Sequence, residues 1–193
     1  MKLIVITTPD FREEESDQII SLFENGLETL HLRKPDSDIT SYERLLASIP
    51  TPFLGRIVLH EHFSLTDKLP LCGVHLNRRN PSYRGNRCVQ ISKSCHSLEE
   101  IRSASSFDYL FLSPIFNSIS KSGYNAAFSD KQLETASQNG WINENVIALG
   151  GIDISTLSKI KRFSFGGAAL LGAVWQNFDI ENFKRLQDIA HSL

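Results

Sequence analysis

Eight short runs of apolar and β-branched residues recur along this chain, with helical patterns in several of the gaps between them. The runs are LIVIT (3–7), TLHLR (29–33), RIVLH (56–60), GVHL (73–76), CVQIS (88–92), YLFLS (109–113), VIALG (146–150) and GAALLG (167–172). Each has the length and apolar character of a strand buried on both faces. Ile19, Leu22, Phe23 and Leu27 mark one helical face, and Phe183, Leu186, Ala190 and Leu193 mark another. Ser97 to Glu100 and Ser129 to Gln132 have the spacing of capping boxes that open two more helices. Such alternation implies parallel strands joined by right-handed crossovers. Eight units in 193 residues predict one compact (β/α)8 TIM barrel spanning 1–193. An open doubly wound sheet would need a glycine-rich turn after the first strand, where the chain reads Thr7-Thr8-Pro9-Asp10. Residues 77–87, holding Pro81 and Gly85, carry no helical pattern and read as a loop in place of one helix.

Bulk properties narrow the partners. A formal net charge of −2 gives no electrostatic case for nucleic acid or an anionic membrane. A local cluster of Arg78, Arg79, Arg84 and Arg87 around Tyr83 reads first as a solvated loop face and second as a phosphate contact. Three cysteines without a CxxC pair fit a reducing compartment. The amino-terminal apolar run is too short for a signal peptide or a membrane span. The expectation is a cytoplasmic protein acting on a small molecule; a homo-oligomer stays open.

In a barrel of this kind, chemistry sits at the carboxyl ends of the strands. Those ends carry His31 and Arg33, then His60, Glu61 and His62, His75 and Asn77, Ser92 and Ser94, Ser113, Gly150 and Gly151, and Gly172 with Ala173. Glycines before helices let backbone N–H groups approach an anion, and the last two loops of this fold often hold phosphate. His31 and Arg33 share one strand face, and a buried arginine needs an anion or a structural carboxylate. His60 and His62 with Glu61 admit a metal reading, although no second ligand pair accompanies them. The run LFLSPIFNSISKSGY (110–124) passes from a buried strand into hydroxyls, one lysine and a glycine, as an anion-gripping loop would.

Together LHLRK (30–34), GVHL (73–76), SKSCHSLEE (92–100), DYLFLSPIF followed by SISK (108–121) and IALGGI (147–152) resemble the thiamine phosphate synthase and TenI family of small (β/α)8 barrels. The resemblance runs nearly end to end. It implies a role in thiamine biosynthesis and binding of 4-methyl-5-(2-hydroxyethyl)thiazole phosphate. By position it assigns Arg33 to pyrophosphate, with Lys34 beside the family's lysine position, which here is Pro35. It assigns Ser118, Ser120 and Lys121 to a loop gathering phosphate and pyrophosphate, and Ser94, Gly151 and Gly172 to substrate or phosphate contacts, which Gly150 and Ala173 adjoin as phosphate-binding candidates read from the strand ends. The family's two magnesium-binding aspartates correspond to Glu61 and Asn80, so Glu61 is the metal candidate and magnesium is implied only for synthase chemistry. Pro114 stands where TenI-type members carry a histidine base, which leaves His31 or His60 to replace it. The first expectation is therefore TenI-like thiazole tautomerase activity without metal. The alternatives are thiamine phosphate synthase with an altered magnesium site, which would also take a pyrimidine pyrophosphate, and a non-catalytic binder of thiazole or thiamine phosphate.

Overall fold

A computed structural model describes residues 1–104, 106–117 and 126–192. The strands are β1 Lys2–Ile6, β2 Thr29–Leu32, β3 Ile57–Leu59, β4 Gly73–Leu76, β5 Gln90–Cys95, β6 Tyr109–Leu112, β7 Val146–Leu149 and β8 Gly167–Leu170. All neighbours pair in parallel and β8 closes on β1, giving the expected (β/α)8 barrel. The helices are α1 Glu15–Glu24, α2 Ile39–Ala47, α3 Thr51–Leu54, α4 Leu98–Ser103, α5 Asp130–Gln138, α6 Ile154–Ile160, α7 Gly172–Trp175 and α8 Ile180–His191. No helix lies between β4 and β5 among the described residues, as the composition of 77–87 predicts. None of the described helices is long and apolar enough to cross a membrane.

Local chemistry sets the helix starts. Ser129 and Gln132 form a complete capping box on α5. On α4, Ser97 caps the N–H of Glu100, while the Glu100 carboxylate reaches one residue further back to the N–H of His96. The Asp153 side chain, unmarked in the sequence reading, caps α6 through the N–H groups of Ser155 and Thr156.

Two strands depart from the expected runs by two residues or more. β5 begins two residues later than the apolar run and continues through Ser94 to Cys95, because its N–H and C=O groups pair onward with Phe111 and Leu112. β8 ends at Leu170, and Gly172 opens α7 instead of closing a strand.

Alternation sorts the side chains into two cores. Leu30, Leu32, Leu59, Leu110 and Leu112 point outward into the layer packed under the helices. The inner barrel is split. Ile4, Ile6, Phe111, Ile147 and Ala169 form an apolar half from β1 and β6–β8. His31, His75 and Ser92, all buried, fill the other half from β2, β4 and β5, with His60 above β3.

Candidate active site

The polar half of the barrel is a set of hydrogen-bonded imidazoles. His31 Nδ1 meets His60 Nε2 at 2.9 Å, and His31 Nε2 meets the Tyr109 hydroxyl at 2.7 Å. His75 lies between two serines, with Nδ1 2.8 Å from Ser92 Oγ and Nε2 2.8 Å from Ser94 Oγ. The His60 and His75 rings stack at 4.3 Å, and His31 stacks on Phe111 at 4.8 Å. Burial holds His31 and His60 well below the usual histidine range, and the neighbouring His75 adds to this. Burial, then the Arg33 charge, lowers His75 to about 3. Burial therefore favours the neutral form of all three rings.

Above them lies the rim. Glu61, 9% exposed, accepts hydrogen bonds at Oε2 from the Lys34 N–H at 3.0 Å and from the Tyr42 hydroxyl. Its Oε1 is buried with no partner among the described residues. Such an atom is costly unless a ligand satisfies it. Asn77 and Asn80 form a turn on the loop after β4, and both side-chain amides donate to the His60 carbonyl, Asn80 at 2.9 Å. Asn80 is thereby anchored beside Glu61. Half-buried Arg33 holds its place by a two-way bond between its backbone and Thr7 Oγ1, while no described residue accepts from its guanidinium.

Lys34 is placed differently from expectation. Its ammonium is buried in an ion pair with Glu15 of α1 and donates to the Asp10 carbonyl at 2.7 Å. One residue beyond Arg33, it points to the opposite side of the chain, into the barrel wall. It holds the loop after β1 in place and does not face the mouth. The expected His60–His62 pair also separates: His62 Nε2 bonds the Ser37 carbonyl at 2.7 Å, and His31 and His75 are the imidazoles that face His60. In the arginine cluster, Arg79 pairs with exposed Asp36 at 3.5 Å, and Arg87 donates to the Thr66 and Leu69 carbonyls.

The far side of the mouth is backbone. After β6 the chain follows the end of β7, with Ile115 N–H on Leu149 O at 2.9 Å and Phe116 N–H on Gly150 O at 3.0 Å. Gly151 has φ +64°, and a Cβ there would stand 2.3 Å from the Asn117 carbonyl oxygen. Only glycine allows that approach. Asn117 Oδ1 accepts from Ala126 N–H at 2.7 Å and so clasps the two ends of segment 118–125. Ser118, Ser120 and Lys121 lie outside the described residues. The N–H groups of Gly151, Gly172 and Ala173 have no acceptor among the described residues.

His31, Arg33, His60, Glu61 and Ser94 therefore gather on one side of the mouth, and Gly150, Gly151, Gly172 and Ala173 line the other. Tyr42 and Tyr109 are site residues that the sequence does not single out, whereas Ser92 stands among its strand-end residues. The signal for Tyr109 was its even spacing from Phe111 and Ser113, which puts it on the inner face of β6.

The family model described as thiamine monophosphate synthase matches residues 3–174. A crystal structure of thiamine phosphate pyrophosphorylase from Bacteroides thetaiotaomicron is 43% identical, covering 99% of this chain and 98% of its own, with a TM-score of 0.90. Thiamine phosphate pyrophosphorylase from Pyrococcus furiosus is 18% identical over 99% of this chain and 96% of its own, with a TM-score of 0.78. Phosphoribosyl anthranilate isomerase from Thermus thermophilus, at 15% identity and TM-score 0.62 over 100% of this chain and 99% of its own, shares the fold. Among curated proteins, no sequence matches this chain.

Proposed function

This chain belongs to the thiamine monophosphate synthase family, and we propose that it joins a pyrimidine pyrophosphate to a thiazole phosphate, releasing pyrophosphate. The observation that carries this reading is Glu61 Oε1, a buried carboxylate oxygen without a described partner, on the same rim as Arg33, whose guanidinium no described residue engages.

Magnesium fits these residues. It commonly takes one or two carboxylates and completes its shell with substrate phosphate and water. Glu61 supplies the carboxylate. Asn80, whose amide nitrogen is tied to the His60 carbonyl, keeps its side-chain oxygen for a neutral ligand. When bound, the ion would neutralise charge on the departing pyrophosphate. The remaining roles belong to the chain. The planar guanidinium of Arg33 can hold two pyrophosphate oxygens at once. The N–H groups of Gly151, Gly172 and Ala173 suit the thiazole phosphate. By family position, Ser118, Ser120 and Lys121 would join the two anions, and Asn117, just before them, packs its backbone against Gly151.

A second reading, metal-free rearrangement of the thiazole ring, is favoured by neutral Asn80 and by His60, an imidazole at the rim backed by His31 and Tyr109. Incubating the protein with both substrates, in magnesium and then in chelator, separates the readings. Magnesium-dependent thiamine phosphate and pyrophosphate at many turnovers support the synthase. Isomerisation of thiazole phosphate alone, unaffected by chelator, supports the second reading. Binding without either product leaves a binder.

A further inference from the structure

The three buried imidazoles offer nitrogens within 4.8 Å of one another, a spacing that invites a metal. The rings are not aimed at one. His60 and His75 stack with planes 24° apart, so their nitrogen lone pairs run side by side instead of converging. Both nitrogens of His31 and both of His75 already have hydrogen-bond partners. What the geometry does contain is a column running from Tyr109, the first residue of β6, through His31 to His60 at the rim.

We propose that Tyr109 and His31 are positioning residues that hold His60 as the neutral tautomer protonated on Nδ1, so that His60 offers a hydrogen-bond donor to an anionic phosphate oxygen at the barrel mouth. The direction follows link by link. A phenol is a better donor than a neutral imidazole N–H, and a bare imidazole nitrogen is a better acceptor than a phenol oxygen. At 2.7 Å, Tyr109 donates to His31 Nε2, and no other described residue accepts from that hydroxyl. A neutral His31 has one proton, which must then sit on Nδ1 and point at His60 Nε2, 2.9 Å away. His60 Nε2 accepts, so the single proton of a neutral His60 sits on Nδ1. That nitrogen has no partner among the described residues, and the residue keeps 4% of its surface exposed at the carboxyl end of β3. Packed against two other imidazoles with 4% of its surface exposed, the ring is disfavoured as a cation by burial. A neutral donor needs no charge to form in the barrel. Asn80 brings no carboxylate to the rim, and Arg33 and the His60 N–H supply donors on the same side.

The proposal rests on the phosphate reading above for its ligand, but not for its tautomer. Nitrogen-15 correlation spectra of the imidazoles at neutral pH read the tautomer without a variant or an activity. The expected result is His31 and His60 both protonated on Nδ1. In Tyr109→Phe the column loses its first donor, so His60 should populate both tautomers. Binding of inorganic pyrophosphate, measured by calorimetry without metal, should then weaken roughly three- to tenfold, the worth of one hydrogen bond. A wild-type His60 protonated on Nε2 or on both nitrogens overturns the proposal, as does a Tyr109→Phe protein with unaltered tautomers. His60 protonated on Nδ1 in a protein that binds no pyrophosphate would confirm the column and overturn its phosphate ligand.

Discussion

The Tyr42 hydroxyl and Glu61 Oε2 lie 2.5 Å apart in the barrel wall, and this contact, with the Lys34 N–H, fixes one oxygen of the carboxylate while the other stays buried without a partner among the described residues. Burial, then the Glu61 charge, pushes the Tyr42 hydroxyl far above its usual range, so it remains a donor. Tyr42→Phe removes a hydrogen bond to a charged acceptor. The expected cost is about 1.5–3 kcal/mol of stability, read by urea denaturation, together with a higher magnesium requirement for turnover. An unchanged magnesium requirement would mean that Tyr42 does not orient Glu61.

The Arg33 guanidinium makes no hydrogen bond or ion pair with a described residue. Arg33→Ala should therefore change stability by no more than about 0.5 kcal/mol. Its effect belongs in catalysis, where loss of a bidentate anion contact should lower kcat/KM by roughly a hundredfold or more. Arg33→Lys should restore only part of it, since an ammonium cannot form the planar fork. A large fall in melting temperature with little loss of activity would assign Arg33 to the fold.

The barrel interior makes stability sensitive to acid. His31 and His60 are held well below the usual histidine range by burial and His75, and His75 is held at about 3 by burial and Arg33. Unfolding frees each of them to take up a proton near pH 6.5. Their contribution is thus complete above that pH and is lost as the pH falls toward the folded values. Each ring that stays neutral in the fold steepens the loss by about 1.4 kcal/mol per pH unit. Denaturation midpoints should drop steeply between about pH 6 and 4, and His75→Gln should flatten that slope. A flat profile over the range would show that the rings are charged in the folded protein.

Much of this was legible in one sequence. The eight apolar runs carry the barrel, because strands buried on both faces leave no ambiguity of side. Position at the carboxyl ends found His31, Arg33, His60 and Glu61. β5 was cut short because Lys93 and Ser94 look polar, while in the fold Ser92 and Ser94 are satisfied by His75, a partner 17 and 19 residues away. Lys34 was assigned by its place beside a family motif, and its actual partner, Glu15, sits on another element. Tyr42 is a helix residue whose role depends on the carboxylate it meets across the wall. Pairings of this kind arise from the fold and leave no local trace.

At the other side of the mouth, Gly151→Ala would place a Cβ 2.3 Å from the Asn117 carbonyl oxygen and 2.8 Å from Phe116 Cβ, on a backbone at φ +64°. Strain and clash together should cost about 1–3 kcal/mol. The loop after β6 would also be pushed from the glycine turn, so affinity for thiazole phosphate should fall at least tenfold by calorimetry, roughly one lost phosphate contact. Unimpaired binding would remove Gly151 from the phosphate site.

We propose that the Glu61 oxygen without a described partner holds the magnesium ion of a thiamine phosphate synthase. Its most direct test is the magnesium dependence of thiamine phosphate formation by the wild-type protein and by Glu61→Gln, which keeps the shape of the side chain and removes its charge. The wild type should give saturable, magnesium-dependent product, and the variant at least a tenfold higher magnesium requirement, for loss of about 1.4 kcal/mol or more of ion binding. Product formed equally well in chelator, or a variant with the wild-type magnesium requirement, would contradict it.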